Sequence, residues 1–546
     1  MKLETMKQTL KKEKFTIILF AIGYIFTILE AFYGVFGDEA DVISASWLMS
    51  QGKYLYSDIF CHHMPVPYFF LEILQYFSNS LVFLRLAYGI ITQSYFILLY
   101  IFFRKKLPHY IIPLTAALWG MMKHIFLQNM ILADTFVAFG VFTIFLEMIT
   151  HKEPKYAFKD KVLVSFATFI SFGSSLIAVY PLLIFYVYYI IKRLFLYGKE
   201  KENALAYFKE DLIFVGMVLC PFFVFMLYCI LTGTWGAFLE NAIFFNTDYY
   251  SIYNEEATPV SLVINQFLDF PTKAWVRILF GTKYLPLGIY SPTDIFTGMS
   301  FVIFFVWSIV SLFRYKQKAI LSILFVYFCY MRDGFHICTF MIFCQYFVAE
   351  AILWCLEQMR KKEKGKILKA TAIAITFVYS AFYIFIIGLS IFYMVKDKTY
   401  VTDYGKEYRE IILTVTEEED TIWAVPLKPE LYFVTKRQPA NGNIFYLPWQ
   451  SIKPGVNEKI EEDICQKKPT VIVYDAEESL WGGTSKPADY CGWLENLLNE
   501  DYFTITGLDK MYFLKEKETE ITEKLIENNI VRREENGEVV CSNACL

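Results

Sequence analysis

The sequence predicts a polytopic α-helical membrane protein of about eleven spans, with a small extracytoplasmic α/β domain at its C-terminal end. Three observations predict it. Hydrophobic residues make up 56% of the chain and aromatic ones 19%, including Phe 54 and Tyr 39, well above ordinary soluble composition. Apolar stretches of helical length recur up to residue 395, eleven in all. Charge then divides: from Lys396 onward 18 Lys/Arg face 29 Asp/Glu, a net −11 that leaves +7 on the remainder. An acidic appendage argues against nucleic acid as its partner.

The stretches lie at 15–36, 81–103, 110–128, 130–149, 162–174, 176–191, 212–231, 295–313, 319–331, 335–356 and 367–395. The first follows five lysines, but it is too long for a signal-peptide core and has no small-x-small cleavage site, so it reads as an anchor. Residues 162–191 carry no charge, with Lys159 and Lys161 before them and Lys192 and Arg193 after. Basic residues mark the cytoplasmic side, so both ends belong there and the run divides into a hairpin turning at Gly173-Ser174-Ser175. The same rule places the clusters in 104–106, 199–209, 314–318 and 360–369 inside, with the N-terminus. It leaves the loops 37–80 and 233–294 and the region from 396 outside, which implies a multi-pass protein of the cell membrane. The domain reading is therefore 1–395 in the membrane, 396–517 an α/β domain, and 518–546 a charged tail that frays.

The loop 233–294 is aromatic and amphipathic, and it reads as helices lying on the bilayer. In the appendage, helix patterns fall near 403–416 and 457–467, and strand patterns at 421–425, 431–435, 470–474, 502–506 and 511–515. No glycine-rich phosphate loop occurs there. The 11 cysteines form no C-x-x-C pair and show no zinc-ligand spacing; a disulfide among those of the appendage stays open.

Chemistry concentrates in GDEADVISASWLMSQGKYLYSDIFCHHMPVP, residues 37–67. It begins where the first apolar run ends and sets Asp38, Glu39 and Asp41 together, followed by Lys53, Tyr54, Tyr56, Asp58, His62 and His63. Asp38 alone would serve as a helix cap, with Glu39 and Asp41 favoured by the helix dipole. Three acids, two histidines and two prolines at the mouth of a membrane bundle exceed what capping needs. Three further polar groups fall on the same side: Lys123, His124 and Asp134; Arg332, Asp333 and His336; and Glu240, Asn246 and Asp248. Against these stand plainer roles. Arg85 reads as a snorkelling side chain, as do Lys123 and His124. Glu30 and Glu147 read as helix-packing polars, and Arg332 with Asp333 as a simple ion pair. No G-x-S-x-G, H-E-x-x-H or D-x-D occurs.

Asp38-Glu39, then Gly52-Lys53-Tyr54-Leu55-Tyr56-Ser57-Asp58, then His62-His63-Met64-Pro65 resemble the motif order of the GT-C membrane glycosyltransferases. Within them, the likeness is to the branch related to protein O-mannosyltransferases and lipid A aminoarabinose transferases. Asp134 and the Arg332-Asp333-x-x-His336 corner fit the same pattern. Where such proteins often carry Lys-Pro-Pro, this chain has His63-Met64-Pro65, which makes the charge there pH-dependent.

The resemblance implies transfer of a sugar from a polyprenyl-phosphate donor to a glycan, lipid or protein acceptor on the outer face, by an enzyme embedded in membrane lipid. Asp38 is then the expected base, with Glu39 or Asp134 orienting it or the acceptor. His63, Arg332 and His336 would stabilise the departing phosphate, with Lys53, His62 and Asp333 nearby. Direct displacement inverts the anomeric centre. No cofactor is required by the sequence; a divalent metal bridging acid and phosphate stays open, with no metal ligands assigned. A lipid-linked glycan flippase and a glycan polymerase or ligase are the alternatives. The flippase would want midplane charges and repeated halves, neither of which is evident.

Overall fold

The computed structural model describes residues 2–151, 156–250, 292–329, 334–360, 399–478, 485–535 and 537–542, with isolated positions between 370 and 396. Helices account for most of it. They are α1 (Lys2–Glu30), α2 (Gly37–Ser50), α3 (Val66–Gln75), α4 (Leu81–Phe103), α5 (Ile111–Met122), α6 (Ala133–Thr150), α7 (Phe158–Phe172), α8 (Val179–Lys199) and α9 (Ala204–Leu231). After α10 (Trp235–Phe238) come two π-helical turns, Leu239–Phe244 and Asn246–Tyr250, then α11 (Pro292–Arg314), α12 (Ala319–Tyr327) and α13 (Cys338–Arg360).

Among the described residues five helical segments are long and apolar enough to cross a membrane: Leu81–Phe103, Ala133–Thr150, Leu176–Lys199, Lys201–Leu231 and Cys338–Gln358. Their surroundings differ. Ala133–Thr150 is 78% buried and forms the centre of the bundle, whereas Lys201–Leu231 is only 11% buried and offers its apolar surface outward, as a lipid-facing helix must. The first helix ends at Glu30 rather than at 36, because Gly34 takes a φ of 80° and Tyr33 bridges to Tyr400. The uncharged run from 162 does turn at Gly173, which caps α7 before a 3-10 turn leads into α8. The stretch expected at 319–331 is helical only as far as Tyr327, and the one expected at 367–395 lies outside the described residues save for isolated positions. Small residues bring the bundle together. A Cβ on Gly120 of α5 would stand 2.6 Å from the Gly23 carbonyl oxygen of α1, so the two backbones touch.

The chain from 399 builds α14 (Lys406–Val415), β1 (Thr421–Val425), α15 (Glu430–Thr435), β2 (Gln438–Pro439), α16 (Pro448–Ser451), α17 (Val456–Lys467) and β3 (Val471–Tyr474). Then come α18 (Pro487–Tyr490), α19 (Gly492–Asp501), β4 (Tyr502–Phe503), β5 (Met511–Leu514), α20 (Glu518–Glu527), β6 (Val531–Arg533) and β7 (Val539–Cys541). The sheet order is β2-β1-β3-β5-β4, parallel across β2, β1 and β3 and antiparallel beyond. β3 is buried throughout and β1 at all but its first residue, matching their apolar sequences.

Two expectations fail here. Residues 431–435 are helix, not strand: Leu431, Tyr432 and Phe433 are buried within that single turn and a half, and tertiary burial overrides their strand propensity. The charged tail does not fray at 518. Ile521 and Leu525 of α20 are buried, and β6 pairs antiparallel with β7. Cys465 and Cys491 of the appendage are free thiols.

Candidate active site

Residues 51–65 leave α2 as a fixed loop rather than a mobile one. Gly52 turns the chain with φ 89° and Tyr56 is held at φ 77°, an uncommon conformation for a non-glycine residue. The Tyr56 hydroxyl donates to the His63 carbonyl at 2.9 Å, and Asp58 accepts from the Tyr54 amide at 2.8 Å. Two other parts of the chain clamp the loop. Asn241 donates to Tyr56 O at 2.9 Å and Asn246 to His62 O at 2.6 Å; from the C-terminal region, Gly442 O accepts from the Phe60 amide at 2.9 Å. His62 is buried against Phe60, His63, Phe245, Tyr250 and Phe445. Burial holds its imidazole neutral, well below the usual histidine range.

Asp38 and Glu39 are adjacent in sequence and opposite in fate. α2 begins with Phe36 at its N-cap and no side-chain cap bond, so neither acid caps the helix. Glu39 is wholly buried and ion-paired with the equally buried Arg85. It also accepts from the Ile131 amide at 2.9 Å and from the Tyr404 hydroxyl at 2.6 Å. Arg85 in turn donates to the Tyr33 and Gly34 carbonyls at 2.6 and 2.8 Å. Arg85 therefore does not snorkel. It joins the end of α1, the start of α2, α4 and the approach to α6, and through Glu39 reaches the C-terminal region.

Asp38 stays accessible to solvent, in a recess crowded by protein. That crowding raises its carboxyl to about 6, with His336 pulling it down and Asp134 pushing it up. The same two groups act on His63, which like Asp38 stays accessible to solvent and which the crowding of surrounding protein lowers to about 4; Asp134 and His336 are themselves linked, Oδ1 to Nδ1, at 3.0 Å. Asp134 and His336 thus bond to one another and act electrostatically on both Asp38 and His63, so three stretches of sequence contribute to one neighbourhood. The pH-dependent charge expected at His63 is moved to lower pH: near neutrality its surroundings favour the neutral imidazole, able to donate one N–H.

Other residues singled out from the sequence lie elsewhere. Lys53 is exposed in the turn after α2 and takes no part in these contacts. His124 bonds to Glu30 at 2.7 Å and Lys123 is buried, so both point inward rather than to the membrane surface, and not to the recess. Glu240 pairs with Lys453 at 2.7 Å. Arg332 and Asp333 lie outside the described residues. Residues that sequence reasoning missed are Arg85 as a partner, Tyr404 and Tyr68; Tyr404 is 365 positions from Glu39, a pairing that no local pattern announces.

Among the described residues the trio able to share a metal ion is Glu147, His151 and Asp160. Lys106 already donates to Glu147 at 3.0 Å and to Asp160 at 3.3 Å, so the ammonium fills the place of a cation. The four recess residues are not drawn together tightly enough to join such a set.

No family model matches the chain, and no curated protein matches it. Among solved structures it is similar to the oligosaccharyltransferase of Archaeoglobus fulgidus in its apo form, at 10% identity and TM-score 0.48, over 85% of this chain and 70% of that one. The archaeal oligosaccharyltransferase AglB of the same organism, in complex with an inhibitory peptide and a dolichol-phosphate, gives 11% and 0.47 over the same shares. ArnT from Cupriavidus metallidurans, bound to undecaprenyl phosphate, gives 10% and 0.34, over 78% of this chain and 85% of that one.

Proposed function

We propose that the chain is a GT-C membrane glycosyltransferase that moves a sugar from a polyprenyl-phosphate carrier to an acceptor on the outer face of the membrane. The observation that carries this reading is the convergence of Asp38, Asp134, His63 and His336. A carboxylate with raised proton affinity lies within electrostatic reach of an imidazole bonded to a second acid, and that same pair acts on His63. Transfer to a hydroxyl needs that pairing of groups.

Asp38 takes the acceptor's proton as its oxygen attacks the anomeric carbon. The bond from that carbon to the phosphate oxygen breaks, and the electron pair leaves on the phosphate. His336, oriented by Asp134, and the neutral His63 donate hydrogen bonds to the charge that develops there. Glu39 does not reach the reaction; through Arg85 and Tyr404 it fixes where Asp38 stands. Attack opposite the leaving group inverts the configuration. In this reading eleven spans carry the site, and the region from 396 lies on the same outer face.

The test is incubation of the purified protein with a panel of polyprenyl-phosphate sugars and glycan, lipid and protein acceptors. Release of polyprenyl phosphate with one donor, abolished by Asp38→Asn, is the expected result. Turnover of none, by protein that retains its thermal transition, would remove the assignment.

A further inference from the structure

One carboxyl beside the recess has no part in the scheme above. Asp41 stands on α2 three residues after Asp38, so the two side chains lie about 5–6 Å apart at Cβ, on one face of the helix. Unlike Asp38 it is buried, with 5% of its surface exposed. Its Oδ2 accepts from the Tyr68 hydroxyl of α3 at 2.6 Å, and its Oδ1 is buried with no hydrogen-bond partner. From the loop, the Cys61 thiol feels its charge. The C-terminal segment that also packs on α2 meets it through Ser44 and Trp47. No charged side chain there shifts Asp41, among the described residues.

A carboxyl in that position is costly. A helix residue that needed only packing would be apolar, and one that needed only a partner for Tyr68 would be an amide. We propose that Asp41 is a positioning residue of the transfer reaction, a second carboxylate whose buried charge strengthens Asp38 as a base. This rests on the function proposed above. Two carboxylates one turn apart in a crowded site cannot ionise independently: the charge of either raises the proton affinity of the other. Burial and the Asp38 charge raise Asp41 to about 7, while the Tyr68 bond favours its ionised form. Below that pH Asp41 is neutral and Asp38 works alone; above it Asp38 accepts its proton against a fixed negative neighbour.

The experiment compares single-turnover rates of the parent and Asp41→Asn at pH 6 and pH 8.5, with thermal unfolding at each pH. The ratio of parent to variant rate is expected near one at pH 6 and roughly three- to tenfold at pH 8.5, on the order of one unit of proton affinity expressed in the transition state. A purely structural residue would give the same ratio at both. Tyr68→Phe removes the bond favouring the carboxylate, so the rise in ratio should move to higher pH. The stability arm needs no substrate. Asp41 carries a folded-state pKa above its unfolded one, so the parent loses stability as pH rises toward and past 7, and Asp41→Asn should be the more stable protein at pH 8.5. Asp38→Asn should lessen the parent's loss, because it removes the charge that Asp41 feels. A rate ratio independent of pH, or a stability profile indifferent to Asp38→Asn, overturns the proposal. A flat ratio in an active enzyme leaves the transferase reading standing, whereas no turnover with any lipid-linked sugar removes that reading itself.

Discussion

At the scale of single residues, the sequence presents Asp38 and Glu39 as an equivalent acidic pair, and folding separates them completely. Glu39 disappears into an ion pair with Arg85, and Asp38 is left at the recess. Nothing local distinguishes them, because the difference comes from partners 46 and 365 positions away. Their variants should differ in kind. Asp38→Asn should keep the fold and lower single-turnover transfer by roughly 100- to 10,000-fold, the usual worth of a general base. Since Asp38 must be ionised to accept a proton and its carboxyl is raised to about 6, the rate of the parent should fall as pH drops through about 6. His63 should contribute no limb near 6.5, because it is already neutral there. Glu39→Gln should instead destabilise the protein by about 3–5 kcal/mol by stranding a buried guanidinium. In Glu39→Gln/Arg85→Met the second change should recover much of that loss in thermal unfolding. A double variant as unstable as the sum of the singles would mean that the two side chains act separately.

At the scale of elements, long apolar periodicity is readily legible: Leu81–Phe103 coincides with its expected bounds, α6 and the turn after α7 lie within a few residues of theirs, and α9 ends at Leu231 as expected but begins eight residues earlier, at Ala204. Short elements were not. Residues 431–435 carry β-branched and aromatic side chains whose preference is for strands, but their place against α2 makes them helix, with Phe433 edge-on to Trp47. The anchor stretch looked six residues too long because hydropathy continues through 31–36 after the helix has ended at Glu30. Backbone contact between α1 and α5 depends on having no side chain at Gly23 and Gly120, which hydropathy also hides. Gly120→Leu should therefore push α1 away and lower the detergent melting temperature, with a loss of about 1–3 kcal/mol or more typical of overpacking. Gly198→Leu, where a Cβ meets nothing within 4 Å, serves as its control and should melt with the parent.

At the scale of the whole molecule, the site is built by pieces that sequence places far apart, and their contacts tie several loops to one face. Phe60 bonds to Gly442, and Asn246 bonds to the His62 carbonyl. The opening loop, the segment after α9 and the C-terminal region must consequently share one side of any membrane. Lys105, by contrast, follows the far end of α4, a helix long enough to span the apolar layer from its start at Leu81. By the rule that basic clusters mark the cytoplasmic side, that far end is expected in the cytoplasm. Orientation can then be read by labelling with a membrane-impermeant thiol reagent on sealed cells. Asn441 is a poor reporter, being buried and bonded to Asp463, whereas Cys465 is an exposed free thiol already in the chain. With Cys220, the other exposed cysteine among the described residues, and Cys545 both replaced by Ser, Cys465 should label from outside without lysis. A Cys introduced at Gly52 in a background with Cys465 replaced by Ser should do the same, and one introduced at Lys105 should label only after the membrane is opened. Labelling of Gly52 and Cys465 on opposite sides would contradict the contacts between the loop and the C-terminal region. Labelling of both only after lysis would leave those contacts intact and invert the molecule, placing the transfer site on the cytoplasmic face.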